Sequence, residues 1–376
     1  MTISQPFCMA PFASIVIDKN GELLPCCDFM QDKSDVPAGH LRDFDTWWNQ
    51  DLQVLRNKMI SYQINSGCDH CLKKEADGQS SLRLGYNNRF SNRSLEPKIS
   101  EVEIRLGNYC NLRCIMCGDY ASSSIATEYS SNQAAYNKLN IFMSTESLVW
   151  WKDDRCMNNL KTILEQVEHI NFAGGEPFIV PEMANILTML NPQKIKNIGV
   201  ISSLNNLGLK ILKELDKFKS VSITASIEGV GAFNDYIRNG SNWGKVTDNV
   251  KLLKQKTNIH LNINHVLQHT SIWTLPELLD WADKQNLKIS LSGVYYHSYP
   301  APGVLTIDSV NPRDLDKFKD WLSKYNGEYK AILENWINQY KYDHLLNQKF
   351  HQYMSMLDNI RSTDFKLLFN PTYENP

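Results

Sequence analysis

Long apolar runs are absent from this 376-residue sequence, and no stretch approaches the roughly 20 residues that a membrane-spanning helix needs. Residues 1–7 lack the basic region and apolar stretch of a secretory signal, so we expect a cytoplasmic protein. A surplus of positive charge is missing too, because 39 Lys and Arg face 41 Asp and Glu. A formal charge of −2 attracts neither a phosphate backbone nor an anionic lipid surface, which argues against nucleic acid and membranes as partners.

The composition is otherwise that of an ordinary globular protein, with 42% hydrophobic and 21% charged residues. A chain of this length exceeds one average domain, so we expect a barrel-sized domain with a smaller unit attached. Six short apolar runs predict strands: Val102–Leu106, Ile170–Phe172, Ile198–Ile201, Val221–Ser226, Leu261–Val266 and Ile289–Leu291. Segments of helical composition lie between several of them: Met183–Leu190, Leu209–Phe218, Lys245–Lys254 and Leu275–Lys284.

Repeated strand-then-helix order predicts an α/β fold with a parallel sheet and outer helices. Six repeats indicate a partial (β/α)6 TIM-like barrel, in which loops after the strands carry the chemistry. A hairpin is predicted at residues 13–24, around a turn ending at Gly21, and Asp314–Ile360 reads as mostly helical. We therefore predict three segments: a small cysteine-containing domain at 1–98, the barrel at 99–300 and a helical extension at 301–376.

Nine Cys carry most of the chemical information. In a reducing compartment they would not normally form disulfides, and their close spacings point to metal. Cys110, Cys114 and Cys117 form a CxxxCxxC segment directly after the first barrel strand. A [4Fe-4S] cluster usually takes four Cys ligands, so three thiolates leave one iron open to the amino and carboxylate groups of S-adenosylmethionine (SAM).

A structural zinc site is the alternative for this loop, although zinc takes four ligands, typically from paired CxxC units. The flanking residues favour the cluster, because Asn108–Cys117 resembles the loop of the radical SAM superfamily. Met116 stands where that loop has an aromatic or apolar residue before its last cysteine. The resemblance implies that a reduced cluster breaks a carbon–sulfur bond of SAM.

A second motif, Gly174-Gly175-Glu176-Pro177, follows the next predicted strand. Glycines let the backbone approach a ligand or adopt positive φ, and Glu accepts hydrogen bonds from an ammonium group. Alone, such a turn is equally typical of an ordinary loop. One strand after CxxxCxxC it is similar to the superfamily's GGEP motif, and the resemblance implies that it holds the amino group of SAM.

Weaker similarities follow the next two strands. Ser203, in Ser202–Asn205, lies where relatives carry a Ser/Thr-Asn-Gly turn near the SAM ribose, but the Gly is absent. Ser226 and Glu228 resemble the family's Ser-x-Asp-Gly segment, with Glu for Asp. Arg238 matches an arginine that reaches the SAM carboxylate, a group that suits a guanidinium fork. A surface or packing role is the alternative for each.

A second cysteine set lies near the N-terminus. Cys8, Gly21 and Cys26 fit the CX(9–15)GX(4)C opening of SPASM and twitch auxiliary-cluster domains, and Cys68 and Cys71 follow. Four thiolates close a [4Fe-4S] cluster with no open iron, which favours electron transfer over substrate binding. Cys27 is an alternative to Cys26, and a zinc site is the alternative for the whole set.

Candidates for catalysis are few. Cys156 is typical of a small buried hydrophobe, with hydrogen-atom donation to a substrate radical as the alternative. The segment Tyr295–Tyr299 follows the last predicted barrel strand, so we expect it to help line the substrate cavity. Tyr295 and His297 are the catalytic candidates within it.

The leading hypothesis is a radical SAM enzyme of oxidoreductase type. A 5′-deoxyadenosyl radical abstracts a substrate hydrogen, and the auxiliary cluster accepts an electron. The substrate is a small molecule or a peptide, and an electron donor such as flavodoxin or ferredoxin is expected. Peptide epimerisation, carbon–carbon or thioether bond formation, and a non-catalytic zinc- or cluster-stabilised binding protein remain alternatives.

Overall fold

The computed structural model describes residues 6–76, 80–145, 149–294 and 303–370. Its strands are β1 (Ser14–Ile17), β2 (Glu22–Leu24), β3 (Gly39–His40), β4 (Glu101–Arg105), β5 (Arg113–Cys114), β6 (His169–Ala173), β7 (Asn197–Ser202), β8 (Val221–Ser226), β9 (Arg238–Asn239), β10 (Ile259–Leu267) and β11 (Ile289–Gly293).

Its helices are α1 (Ala10–Ala13), α2 (Phe44–Thr46), α3 (Gln53–Ile60), α4 (Asp69–Ala76), α5 (Leu82–Arg89), α6 (Ser123–Asn137), α7 (Asp154–Leu164), α8 (Pro181–Met189), α9 (Leu209–Leu215), α10 (Ala232–Ile237), α11 (Trp243–Lys254), α12 (Ser271–Gln285), α13 (Pro312–Lys324), α14 (Lys330–Asn338), α15 (His344–Arg361) and α16 (Phe365–Phe369). A π-helical turn, Trp47–Asp51, joins α2 and α3.

The chain folds into two compact units that interleave along the sequence. The first contains Met1–Tyr109, Ser147–Ile201 and Gly208–Ser222, and the second contains Cys110–Glu146, Ser202–Leu207 and Ile223–Pro376. The division at residues 98 and 300 follows chain order instead, and it stays a prediction.

In the first unit, the strands lie in the order β7-β6-β4-β1-β2-β3. β1, β4, β6 and β7 are parallel, whereas β2 and β3 pair antiparallel. The hairpin predicted at residues 13–24 is therefore present, and β1 also pairs with β4, with Val16 opposite Glu103. This pairing satisfies the backbone groups that β4 would otherwise leave unpaired at an edge.

In the second unit, β8, β10 and β11 are neighbours in that order, and β10 and β11 are parallel. A separate two-stranded ladder joins β5 and β9. The helical tail is part of the core, because Phe350, Tyr353 and Phe365 belong to the same buried cluster as Ile115. The tail predicted at Asp314–Ile360 thus forms α13, α14 and α15 and packs around the segment that contains the cysteine loop.

All six predicted barrel strands and the four predicted helices are present, with shifted ends. The α/β class with a mostly parallel sheet is confirmed, whereas the six-repeat barrel count stays a prediction. α12 begins at Ser271, four residues before its predicted start at Leu275, and Pro276 lies inside it.

Candidate active site

The CxxxCxxC loop begins shortly after β4 and contains β5. Cys114 is buried, with 7% of its surface exposed, while Cys110 and Cys117 are half-buried. The amide of Leu112 donates to Cys110 Sγ at 3.4 Å, and the amide of Cys117 donates to the carbonyl of Cys114 at 3.1 Å. The loop therefore turns back on itself between Cys110 and Cys117.

Serine side chains at the start of α6 hydrogen-bond to the backbone of this loop. Ser122 Oγ donates to the carbonyl of Leu112 at 2.6 Å, and Ser124 Oγ donates to the carbonyl of Cys110 at 2.8 Å. The amide of Cys110 donates to Ser123 Oγ at 3.2 Å. Ser122 also accepts from the amide of Ile125 and so caps α6. One helix terminus thus fixes the backbone at the first cysteine.

α15 supports the other half of the loop, a role that the sequence did not reveal. Tyr353 Oη donates to the carbonyl of Ile115 at 2.9 Å, between Cys114 and Cys117. Arg361 forms a two-point contact with Glu128 at 2.8 and 3.0 Å, and both side chains are at most 3% exposed. Arg113, within the loop, reaches the same carboxylate at 3.3 Å. The abundance of aromatic residues in the tail was the one sequence feature that could have indicated this role.

The glycines of the GGEP motif allow its backbone to pack on the residues before Cys110. Gly174 has φ of +104°, and a Cβ on Gly175 would lie 2.2 Å from the carbonyl oxygen of Tyr109. The amide of Glu176 donates to that same carbonyl at 2.9 Å. Any side chain at position 175 would force this contact apart, so the backbone of the motif packs directly against the backbone of Tyr109.

Glu176 is buried, with 2% of its surface exposed. One carboxylate oxygen accepts from the amide of Phe178 at 3.3 Å and caps a short 3-10 helix that begins at Pro177. Pro fits this first helical position because it has no amide hydrogen to satisfy. The carboxylate is therefore oriented by its own backbone, which suits a side chain that must meet a ligand in one geometry.

Arg238 lies against the central cysteine. Its Nη1 donates to Cys114 Sγ at 3.6 Å, and its Nη2 donates to Glu228 Oε1 at 2.7 Å. The other oxygen of Glu228 accepts from the amide of Val266 at 3.1 Å and lies 3.3 Å from Nδ1 of His265. Glu228 is fully buried and both its oxygens have protein partners, so it holds Arg238 in place, while its direct contact with SAM stays a prediction.

Arg238 Nε is buried and has no hydrogen-bond partner among the described residues. An unsatisfied buried donor is costly, and a carboxylate is the acceptor that a guanidinium prefers. This orphan donor is therefore the structural observation that fits the predicted contact with the SAM carboxylate.

The turn after β7 compensates for its missing glycine. Leu204 adopts φ of +56°, a conformation that costs a non-glycine residue roughly 1–2 kcal/mol, and its side chain is fully buried. Asn205 holds the turn, because its side chain accepts from the amide of Asn242 at 2.8 Å. Ser203 is buried beside it, and Ser226 is half-buried at the end of β8.

Four of the N-terminal cysteines lie close enough to influence one another. Burial raises the pKa of the Cys8 thiol to about 12, and Cys68 and Cys71 add to the rise. Burial and then the thiols of Cys8, Cys27 and Cys68 hold the pKa of Cys26 well above its ordinary value. Thiolates at these positions would repel one another, and the positively charged irons of a bound cluster would offset that repulsion.

Cys27 has different neighbours. Burial raises the pKa of its thiol to about 12, with Glu103 and Asp28 adding and Arg105 opposing. The thiols of Cys8 and Cys68 raise the pKa of Cys26, whereas the charged groups that act most on Cys27 are Glu103, Asp28 and Arg105. These surroundings favour Cys26 as the ligand, and the choice between the two stays a prediction.

Arg83 is a cation beside this set that sequence reasoning missed. It is buried, its Nε donates to Glu75 at 2.9 Å, and its Nη1 donates to the carbonyl of Phe7 at 2.9 Å. Its charge lowers the pKa of Cys8 and Cys68 against the larger effect of burial. It would offset part of the negative charge of a thiolate set.

The donor chemistry of both sets fits iron–sulfur clusters. No three His, Cys, Asp or Glu side chains within the described ranges converge on a position for a single metal ion. A [4Fe-4S] cluster makes no such demand, since each thiolate binds a different iron. Three thiols at one site and four at the other match an open and a closed cluster.

Of the three catalytic candidates, the structure describes Cys156 alone. Cys156, on α7, is fully buried, which agrees with a packing role. Tyr295 and His297 lie outside the described residues, so their predicted place beside a substrate cavity stays a prediction.

Comparison with known proteins accords with both sites. Residues 104–282 match the model of the radical SAM superfamily. Residues 8–72 match the SPASM model, an iron-sulfur cluster-binding domain. These two matches support [4Fe-4S] clusters and SAM as the cofactors of the protein.

Among solved structures, similarity is loose. SuiB of Streptococcus suis bound to S-adenosylmethionine shares 14% identity over 86% of this chain and 69% of that one, with a TM-score of 0.38. anSMEcpe with bound AdoMet and Kp18Cys peptide shares 16% identity over 62% and 61%, with a TM-score of 0.42. TM-scores below 0.5 carry no functional argument. No curated protein matches, and no helix within the described ranges is long and apolar enough to cross a membrane.

Proposed function

We propose that this protein is a radical SAM enzyme and that Cys110, Cys114 and Cys117 hold the cluster that cleaves SAM. A [4Fe-4S] cluster with one open iron supplies the electron that splits SAM into methionine and a 5′-deoxyadenosyl radical, which removes hydrogen from the substrate. The observation that carries the proposal is the loop itself: three thiols in one loop, braced by α6 and α15, with a buried guanidinium against the central sulfur.

The remaining residues of the site bind and orient SAM. Glu176 accepts from its ammonium group, and Nε of Arg238 donates to its carboxylate. Gly174 and Gly175 let the motif's backbone pack against Tyr109, and Pro177 starts the turn that orients Glu176. Ser203 follows β7, and Ser226 is the last residue of β8. We assign both side chains to contact with the SAM ribose. Glu228 fixes Arg238 through its 2.7 Å contact.

Cys8, Cys26, Cys68 and Cys71 hold one auxiliary cluster. With four thiolates its irons are all protein-bound, so its role is to accept an electron from the substrate radical. A flavodoxin or ferredoxin would supply the electron that starts each turnover. The substrate is a small molecule or a peptide.

The experiment is anaerobic purification followed by metal analysis and visible absorption. The proposal expects a brown protein with iron and sulfide for two clusters. A colourless zinc protein would instead support the non-catalytic binding protein. Reduction with SAM in the presence of candidate peptides, alcohols and amines, followed by product analysis, then identifies the reaction.

A further inference from the structure

The guanidinium of Arg238 is held against the Cys114 sulfur by backbone as well as by its side chain. Cys114 and Arg238 are directly opposite each other in the β5–β9 ladder, and the amide of Ile115 donates to the carbonyl of Ile237 at 2.9 Å. The 3.6 Å contact between Nη1 and Sγ is thus fixed by two strands.

Behind Arg238 lies one buried negative charge. Glu228 is fully buried, and its oxygens accept from Arg238 and the amide of Val266. Nδ1 of His265 faces two acceptors, the carbonyl of Ile227 at 3.2 Å and Glu228 at 3.3 Å, so it carries the ring proton. Burial lowers the pKa of His265. The Cys114 sulfur therefore contacts the positive guanidinium of Arg238, and the negative carboxylate of Glu228 lies on the far side of Arg238.

We propose that Arg238 and Glu228 together set the reduction potential of the cluster bound through Cys114. This rests on the proposed function and goes beyond it, since SAM contact alone would need no hydrogen bond to a ligand sulfur. Cluster potentials depend on net charge and on hydrogen bonds to the sulfurs. Arg238 stabilises the more negative, reduced cluster and raises the potential. Glu228 opposes this effect from one layer further away.

The test is a redox titration monitored by electron paramagnetic resonance on the full-length, two-cluster protein without SAM. Arg238→Gln removes the positive charge, so the potential should become more negative. A shift of about 59 mV corresponds to a tenfold change in the equilibrium constant of a one-electron couple. Glu228→Gln removes the opposing charge and should shift the potential in the positive direction. The double variant should lie between the two single variants.

Opposite signs separate an electrostatic role from a structural one, because loosening the loop would change both variants in the same direction. Arg238→Lys keeps the charge and should shift less than Arg238→Gln. Arg113→Gln is the matched control, since this loop arginine contacts Glu128 and its shift should be smaller than that of Arg238→Gln. The auxiliary signal, identified as the one that remains in Cys114→Ala, should keep its potential.

Shifts of the same sign, or no shift in variants that retain the cluster, would overturn the proposal and leave the proposed function intact. If Arg238→Gln fails to retain the cluster, the sign of the shift in Glu228→Gln decides. A parent protein without the SAM-binding cluster would instead refute the proposed function.

Discussion

Two adjacent cysteines show how differently neighbouring residues can be placed. Cys26 shares its surroundings with Cys8 and Cys68, whereas Cys27 is placed beside Glu103 and Arg105. Cys26→Ser should therefore remove the auxiliary cluster, while Cys27→Ser should keep it. Iron per chain should fall by about half in the first variant alone, measured after anaerobic reconstitution. If Cys27 is the ligand instead, Cys27→Ser should lose the iron and Cys26→Ser should keep it. Each variant is therefore the control for the other.

Glu176 is the residue whose charge matters most for SAM binding. Glu176→Gln keeps an acceptor for the amide of Phe178 but turns a charged contact with the SAM ammonium into a neutral one. We expect a loss of about 1.5–3 kcal/mol in SAM affinity, measured by anaerobic calorimetry, with both clusters retained. Glu182→Gln, at the start of α8, makes the same charge change and should bind SAM like the parent. Equal affinities for both variants would exclude Glu176 from the SAM site.

Cysteine spacing and the GGEP motif are local patterns, so the linear sequence suffices to propose these residues as ligands. The proposed contact of Glu228 with SAM stays a prediction. Its observed partners, Arg238 and the amide of Val266, are 10 and 38 residues away in sequence. No local pattern encodes such a contact. Tyr353 and Arg361 were missed for the same reason.

Among the elements, α15 is the one whose role is least expected. Tyr353→Phe removes the hydroxyl that satisfies the buried carbonyl of Ile115, and a buried acceptor without a partner costs about 1–3 kcal/mol. The cluster loop should become less stable, so the SAM-binding cluster should be lost faster to an iron chelator. The auxiliary cluster should be lost at the parent rate.

Tyr340→Phe is the matched control for that prediction, because its hydroxyl donates to the carbonyl of Val310 at 2.8 Å and not to the cluster loop. Parent-like chelation kinetics in Tyr353→Phe would show that α15 does not support the loop.

The elements themselves were largely predictable, while their partners were not. Short runs on both sides of a turn-forming segment mark β1 and β2 as a hairpin, because hairpin pairing is local. That β1 also pairs with β4 depends on residues 87 positions apart, Ser14 and Glu101, and no periodicity reports such a pairing. The tail helices were visible by their spacing, but their burial around Ile115 was not.

At the scale of the whole molecule, the two cysteine sets should work separately. Cys68→Ala removes one auxiliary ligand, so the variant should still cleave SAM but form little oxidised product. The readout is the ratio of 5′-deoxyadenosine to product, compared with the parent. Small metal domains often depend on their metal for stability, so the variant must first be shown to be folded and to retain the SAM-binding cluster. An unchanged ratio in such a protein would remove electron acceptance from the account.

The most direct measurement is reductive SAM cleavage by the anaerobically reconstituted parent and by Cys114→Ala, with 5′-deoxyadenosine quantified against iron content. The account predicts that the parent forms 5′-deoxyadenosine, and that Cys114→Ala forms none while retaining about half of the iron. Cleavage by the variant at the parent rate would show that Cys110, Cys114 and Cys117 do not hold the cluster that cleaves SAM. An iron-loaded parent that leaves SAM intact on reduction would contradict the account equally.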